Sequence, residues 1–209
     1  MNWPEFLGEF AGRPLFHSSM LGIFPDNRAH AQIQLTRWTK AGKIAQIRRG
    51  WYLIERPYRR KEIPLPMIAN SVIHPSYLSL EWALQYRQMI PEFVPNLTSL
   101  TTSRGTEFIF KDHLFSYHFV QPSLFTGYIR EEYEGEPVFI ACAEKALFDK
   151  IYLFIRKEAF SLEWLKELRL QNLEEFDLAR FQSYLERTRR PGLRRAIELA
   201  SRFIREQLP

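Results

Sequence analysis

The amino-acid sequence predicts an α+β chain: an N-terminal winged helix-turn-helix, then a mixed α/β second domain with a helical C-terminal tail. Three observations carry this. The first 54 residues hold short helical patterns and close on two apolar runs around a glycine-containing turn. Residues 97–141 are a series of short β-branched and aromatic runs separated by turn residues. Residues 161–209 return to helical spacing. The expected division is 1–60 for the first domain and 61–209 for the second, with mixed helices and strands over 61–155 and a tail over 156–209.

Residues 3–11 (WPEFLGEFA) read as a short helix with Pro4 in its first turn and Gly12 after its end. Arg13–Phe16 fits a short strand. Ser18 precedes Met20, Leu21, Ile23 and Phe24, a second short helix, and Pro25 and Asp26 break it. The third helix runs from about Asn27, with Asp26 or Asn27 as its N-cap, to Ala41. Ala31, Leu35 and Trp38 form its apolar stripe, and Gly42 stops it. The runs 43–47 and 51–54 around Arg48-Arg49-Gly50 make a hairpin. Glu55–Lys61 reads as a linker. Residues 64–73 and 76–90 fit helices, the latter with Leu78, Trp82 and Tyr86 on one face. Strands follow over 97–102, 106–110, 114–120, 127–133 and 137–141, then an amphipathic helix over 144–155 and three tail helices, the last opened by Pro191.

Composition narrows the class. Of 209 residues, 45% are apolar and 25% charged, the mix of a folded globular chain. One cysteine, Cys142, allows no disulfide framework and no cysteine zinc site. The first twenty residues lack a secretory pattern. The longest stretch free of Asp, Glu, Lys and Arg, Ile63–Leu80, is interrupted by Pro64, Pro66, Asn70, His74 and Pro75, which makes a poor membrane span. The expectation is a cytoplasmic protein without membrane contact. Residues 1–60 hold ten Lys or Arg against four Asp or Glu. A phosphate backbone rewards such a local excess through counterion release.

With the stripe turned inward, Ala29, Ile33, Thr36 and Lys40 face outward, flanked by His30, Gln32 and Arg37, at ~100° per residue. In this motif the N-terminal half of the recognition helix meets base edges in the major groove. Gln32 suits a bidentate contact with adenine, and Ala29 and Ile33 suit a thymine methyl. His30 and Arg37 suit guanine or phosphate. Arg48 and Arg49 on the hairpin turn suit a minor groove or its flanking phosphates. Lys43, Arg59 and Arg60 add possible backbone contacts. The expected DNA-binding residues are Asn27, Arg28, His30, Gln32, Ile33, Thr36, Arg37, Lys40, Lys43, Arg48 and Arg49. The alternative is a winged helix that docks a partner protein instead of DNA, since fold does not fix function.

The segment from Leu35 to Ile54 (LTRWTKAGKIAQIRRGWYLI) resembles the end of the recognition helix and the wing of AbiEi-like antitoxins. Tyr77–Leu84 (YLSLEWAL) looks like that family's "(Y/H)LSxxxAL" helix. Thr101–Gly105 (TTSRG) looks like its "T…R" strand end, and Ala143–Asp149 (AEKALFD) like its "PEKALLD" helix start, with Ala143 in place of the usual proline. The resemblance spans about residues 27–155. It implies an antitoxin of a type IV toxin–antitoxin or abortive-infection system. Such a protein binds inverted repeats in its own promoter, represses transcription, and counteracts a nucleotidyltransferase-like toxin. No enzyme activity and no cofactor are expected, since no phosphate loop, nucleophile elbow or zinc spacing appears.

Other clusters read as structure rather than chemistry. Glu144 and Asp149 lie five apart on a helix and diverge by about 140°. Glu144 suits the first helical turn, where the helix dipole favours a carboxylate. His113 and His118 fall on opposite faces of a regular strand. Glu131, Glu132, Glu134 and Glu136 suit an exposed hairpin, and Arg187, Arg189, Arg190, Arg194 and Arg195 a solvated helix junction. A nuclease built on residues 97–149 is the remaining enzymatic reading. No metal site is expected.

Overall fold

The computed structural model describes residues 1–25, 28–156 and 158–208, with the backbone alone for Arg28 and Pro191. The chain is α+β and divides into two compact units, residues 1–68 and 69–209.

The first unit begins with α1 (Trp3–Phe10), whose N-terminus carries a capping box: the Asn2 side chain accepts from the Glu5 N–H, and the Glu5 carboxylate accepts from the Asn2 N–H. Strand β1 is Leu15–His17, and Ser18–Ile23 is a 3-10 helix rather than an α-helix. Helix α2 (Arg28–Lys40) and the hairpin β2 (Ile44–Arg48) and β3 (Trp51–Ile54) follow. The three strands form an antiparallel sheet in the order β1-β3-β2. Phe6, Phe10, Phe16, Leu35, Trp38 and Ile54 are among the residues of one core, in which Trp38 packs 4.7 Å from Phe6 and 4.9 Å from Trp3.

Residues 55–62 are not a free linker. The Tyr58 ring packs edge-on against Trp3 at 5.2 Å, and the Arg60 N–H donates to the Ala11 carbonyl at 3.0 Å. Arg59 pairs with Glu62 and reaches the Ile54 carbonyl. Arg59 is therefore occupied within its own unit, while Arg60 stays exposed.

Helix α3 (Leu65–Val72) carries the division between the units. The second unit is built on a six-stranded mixed sheet in the order β6-β7-β5-β4-β9-β8. Its strands are β4 (Ser76–Leu78), β5 (Leu97–Thr101), β6 (Thr106–Phe110), β7 (His113–Phe119), β8 (Tyr128–Tyr133) and β9 (Glu136–Ala141). Strands β4/β9 and β5/β7 run parallel. The expected helix over 76–90 is corrected: residues 76–78 are a strand in the middle of the sheet, and only Leu80–Tyr86 is helical, as α4. Helix α5 (Ala143–Phe154) is followed by α6 (Leu162–Glu167), α7 (Leu178–Ser183) and α8 (Pro191–Arg205). On α8, Leu193, Ala196, Ile197, Ala200 and Ile204 are buried. Among the described residues no helix is long and apolar enough to cross a membrane.

Candidate nucleic-acid interface

Helix α2 is fixed by what it buries. Leu35 and Trp38 are almost wholly enclosed and Ala31 packs beside them. Its C-terminus is closed by a Schellman arrangement. Gly42, at φ +67°, occupies the left-handed position, the Lys43 N–H donates to Trp38 O at 2.9 Å, and the Gly42 N–H donates to Thr39 O at 3.1 Å. With that orientation set, Ala29, Gln32, Ile33, Thr36, Arg37 and Lys40 are exposed. Ile33 is 49% exposed. The Thr36 hydroxyl donates to Gln32 O at 2.9 Å, which leaves its oxygen and methyl outward. His30 is half-buried, with its ring 3.2 Å from the Gln34 amide nitrogen. Asn27 lies outside the described residues, and Arg28 enters only as the first turn of α2.

The hairpin shows why apolar residues three apart, Ile44 and Ile47, both face inward. The register runs Gln46↔Tyr52 and then Arg48↔Trp51, so Ile47 is the extra residue of a β-bulge. The turn itself is Arg49-Gly50, with Gly50 at φ +86°. That φ strains any L side chain, and a Cβ at Gly50 would also meet His17 Nε2 at 2.4 Å. The Ser18 N–H donates to Gly50 O at 2.7 Å and ties the turn to the start of the 3-10 helix.

Two expected contact residues sit differently. Arg48 belongs to β2 and is half-buried, so Arg49 alone of the pair stands exposed on the turn. The bulge turns Ile47 inward and leaves Arg48 opposite Trp51. Lys43 lies with its ammonium 4.8 Å from the centre of the Trp3 ring, a cation–π contact with a core tryptophan.

The charge pattern is stronger than the expectation for residues 1–60 suggested. From Arg28 to Ile54 the chain holds six Lys or Arg and no Asp or Glu. Arg37, Lys40 and Arg49 form no ion pair with any described residue.

No protein-family model matches this chain, and the search of curated proteins returned no match to its sequence.

The second unit holds a sealed polar network. Asp149 is fully buried on α5. It receives the Lys145 ammonium on one oxygen, and on the other the hydroxyls of Tyr77 at 2.9 Å and Ser79 at 2.8 Å. Burial pushes the Asp149 carboxyl above its ordinary value, with Lys145 opposing, and drives the Tyr77 phenol well above its own. Lys145 also lies over the rings of Phe148, Tyr184 and Tyr77. Glu144, expected as a first-turn carboxylate, accepts the Asp177 N–H at 3.0 Å. Sequence spacing missed the pair that matters, Lys145 and Asp149. They lie four apart and so on one face, a signal that was available. Neither side chain of the pair has solvent-exposed surface.

His113 bonds the Pro95 carbonyl at 3.2 Å. Glu131 is held by Arg87 at 2.7 Å and by the Tyr86 hydroxyl at 2.9 Å. Glu136 is buried, while Glu132 and Glu134 are exposed. Among the described residues no group of three or more His, Cys, Asp or Glu side chains is placed to hold a metal ion. Arg187, Arg189, Arg190, Arg194 and Arg195 are all exposed, with the Arg190 guanidinium 5.4 Å from the Tyr152 ring centre.

Proposed function

We propose that the first unit is a winged helix-turn-helix that binds double-stranded DNA, with α2 in the major groove and the Arg49 turn on the flanking backbone. One observation carries this reading. The exposed face of α2 combines Gln32, Ile33, Thr36 and Arg37, and no carboxylate occurs from Arg28 through the whole hairpin. Base edges and phosphates reward that combination. The element order helix, strand, short helix, helix and hairpin supports the same reading. The DNA-contacting set is Gln32, Ile33, Thr36, Arg37, Lys40 and Arg49, with His30 at its margin.

The resemblance to AbiEi-like antitoxins extends the proposal. The chain represses its own promoter from inverted repeats and counteracts a nucleotidyltransferase-like toxin. It acts in the cytoplasm, without a cofactor and without catalysis. The test is fluorescence anisotropy with a duplex from the region upstream of the reading frame, titrated over salt. Log Kd rises linearly with log salt, and Arg37→Ala with Arg49→Ala lowers the slope by about two. Binding that is absent, or indifferent to both salt and these residues, rejects the DNA reading. Rescue of cells from the product of the adjacent reading frame tests the antitoxin role separately.

A second reading rests on Met20, Ile23 and Ile33, three exposed apolar side chains of this unit. They suit a protein partner, and tight association with the adjacent product without DNA binding selects that reading.

A further inference from the structure

Between α2, the 3-10 helix and the hairpin turn lies a cleft of about 550 Å³, within the size range of small-molecule sites. Gln32 lines one wall, Ser18 and Ser19 a second, and Gln46 and Arg49 the third. Leu35 and Tyr52 contribute to its apolar floor. Every polar side chain named here can donate a hydrogen bond, Arg49 is cationic, and no Asp or Glu among the described residues lines the cleft.

The walls are held in place. His17 lies against Gly50, and its Nδ1 is 2.8 Å from the Ser19 hydroxyl and 3.2 Å from the Ser19 amide nitrogen. The Ser18–Gly50 hydrogen bond joins the second wall to the turn that carries Arg49. Little rearrangement is needed before an acceptor enters. A cation with several donors, in a cleft without carboxylates, selects an anion with many acceptor oxygens.

We propose that this cleft is a phosphate seat, gripped by Arg49 and Gln46 with the serine hydroxyls beside them. Its occupant is a phosphodiester of the bound DNA strand or the phosphate of a free nucleotide. The strand as source rests on the DNA reading above, whereas the free nucleotide does not.

Two measurements on the full chain separate the sources. In the first, single methylphosphonates replace each phosphodiester of the upstream duplex in turn. The expected result is a loss of about tenfold at one phosphate per half-site. That loss vanishes in the Arg49→Ala, Gln46→Ala double variant. In the second, thymidine monophosphate is titrated against 15N-labelled protein. Saturable shifts at the Ser18, Ser19 and Gln46 signals, absent in the double variant, identify a free phosphate as occupant. Both substituted residues are exposed, and an unchanged thermal midpoint shows that the double variant folds. If no duplex binds but the nucleotide does, the DNA reading falls and the seat stands. If the methylphosphonate scan is the same in both proteins and thymidine monophosphate produces no saturable shift, the seat is overturned.

Discussion

Ser79 and Asp149, seventy residues apart, are joined by a buried hydrogen bond of 2.8 Å. Tyr77 reaches the same carboxylate oxygen. One short segment before α4 and one turn of α5 are thereby bolted together around Lys145. Removing one partner of a buried ion pair leaves the other uncompensated, at about 3–5 kcal/mol. Asp149→Ala and Lys145→Ala are each expected to destabilise the second unit by that order in urea unfolding. The double variant Lys145→Met, Asp149→Leu is expected to lose less than either. Additive losses would show that the two groups do not act as a pair.

Gly50 and Gly8 are expected to respond in opposite directions to alanine. Gly50 has φ +86° and His17 against it, so Gly50→Ala lowers the thermal stability of the first unit by more than about 1 kcal/mol. It also displaces Arg49 and weakens DNA binding. Gly8 lies inside α1 with open space where its Cβ would be. Gly8→Ala stabilises by about 0.5–1 kcal/mol. Thermal melts of the two variants check both signs.

Gln32 and Lys40 differ in where they stand on α2. Gln32 lies in the N-terminal half of α2, the half proposed to meet base edges, and Lys40 in the last turn. Gln32→Ala is expected to relax preference at one base pair, worth about 1–3 kcal/mol of discrimination. Lys40→Ala should weaken all sequences alike. Competition with a panel of single-base variants measures both. A uniform loss for Gln32→Ala would move that residue from base to backbone.

Glu62 sets an acid limit on the first unit. Hydrogen bonds from Arg56 and Arg59 hold its carboxyl down to about 2. An unfolded chain titrates this group near 4.3. Between those values the unfolded state binds the extra proton, so stability rises with pH there. The contribution is in full force above about 4.3 and disappears as pH falls toward about 2. Glu62→Gln should flatten that segment of the stability–pH curve and lower the plateau above about 4.3. Parallel slopes for the two proteins would show that the pairing is not maintained in solution.

Much of the architecture was legible because periodicity reports burial. The stripe of Ala31, Leu35 and Trp38 fixed α2 to within a residue or two, and the run with Gly50 marked the hairpin. Strand β4 was not legible. Ser76, Tyr77 and Leu78 are buried on both faces, so no alternation appears, and Leu78, Trp82 and Tyr86 imitate helical spacing. The break between strand and helix is Leu80 at φ +57°, a conformation leucine does not advertise. At the candidate interface the outward face of α2 was readable, but the depth of Arg48 and Lys43 was not. The first depends on a bulge at Ile47 and the second on the distant ring of Trp3. The absence of any acid from Arg28 to Ile54 was readable and more telling than the net charge.

The three-stranded sheet has a temporal consequence. Among the described residues, strands β1 and β2 each pair only with β3, which lies between them and is made last. As the chain leaves the ribosome, the first two wait without hydrogen-bonded neighbours until residues 51–54 emerge. Every residue of the unit that holds this sheet is drawn from the first 68. The unit proposed to touch DNA is thus a contiguous piece of chain, free to finish folding while the rest is still being synthesised.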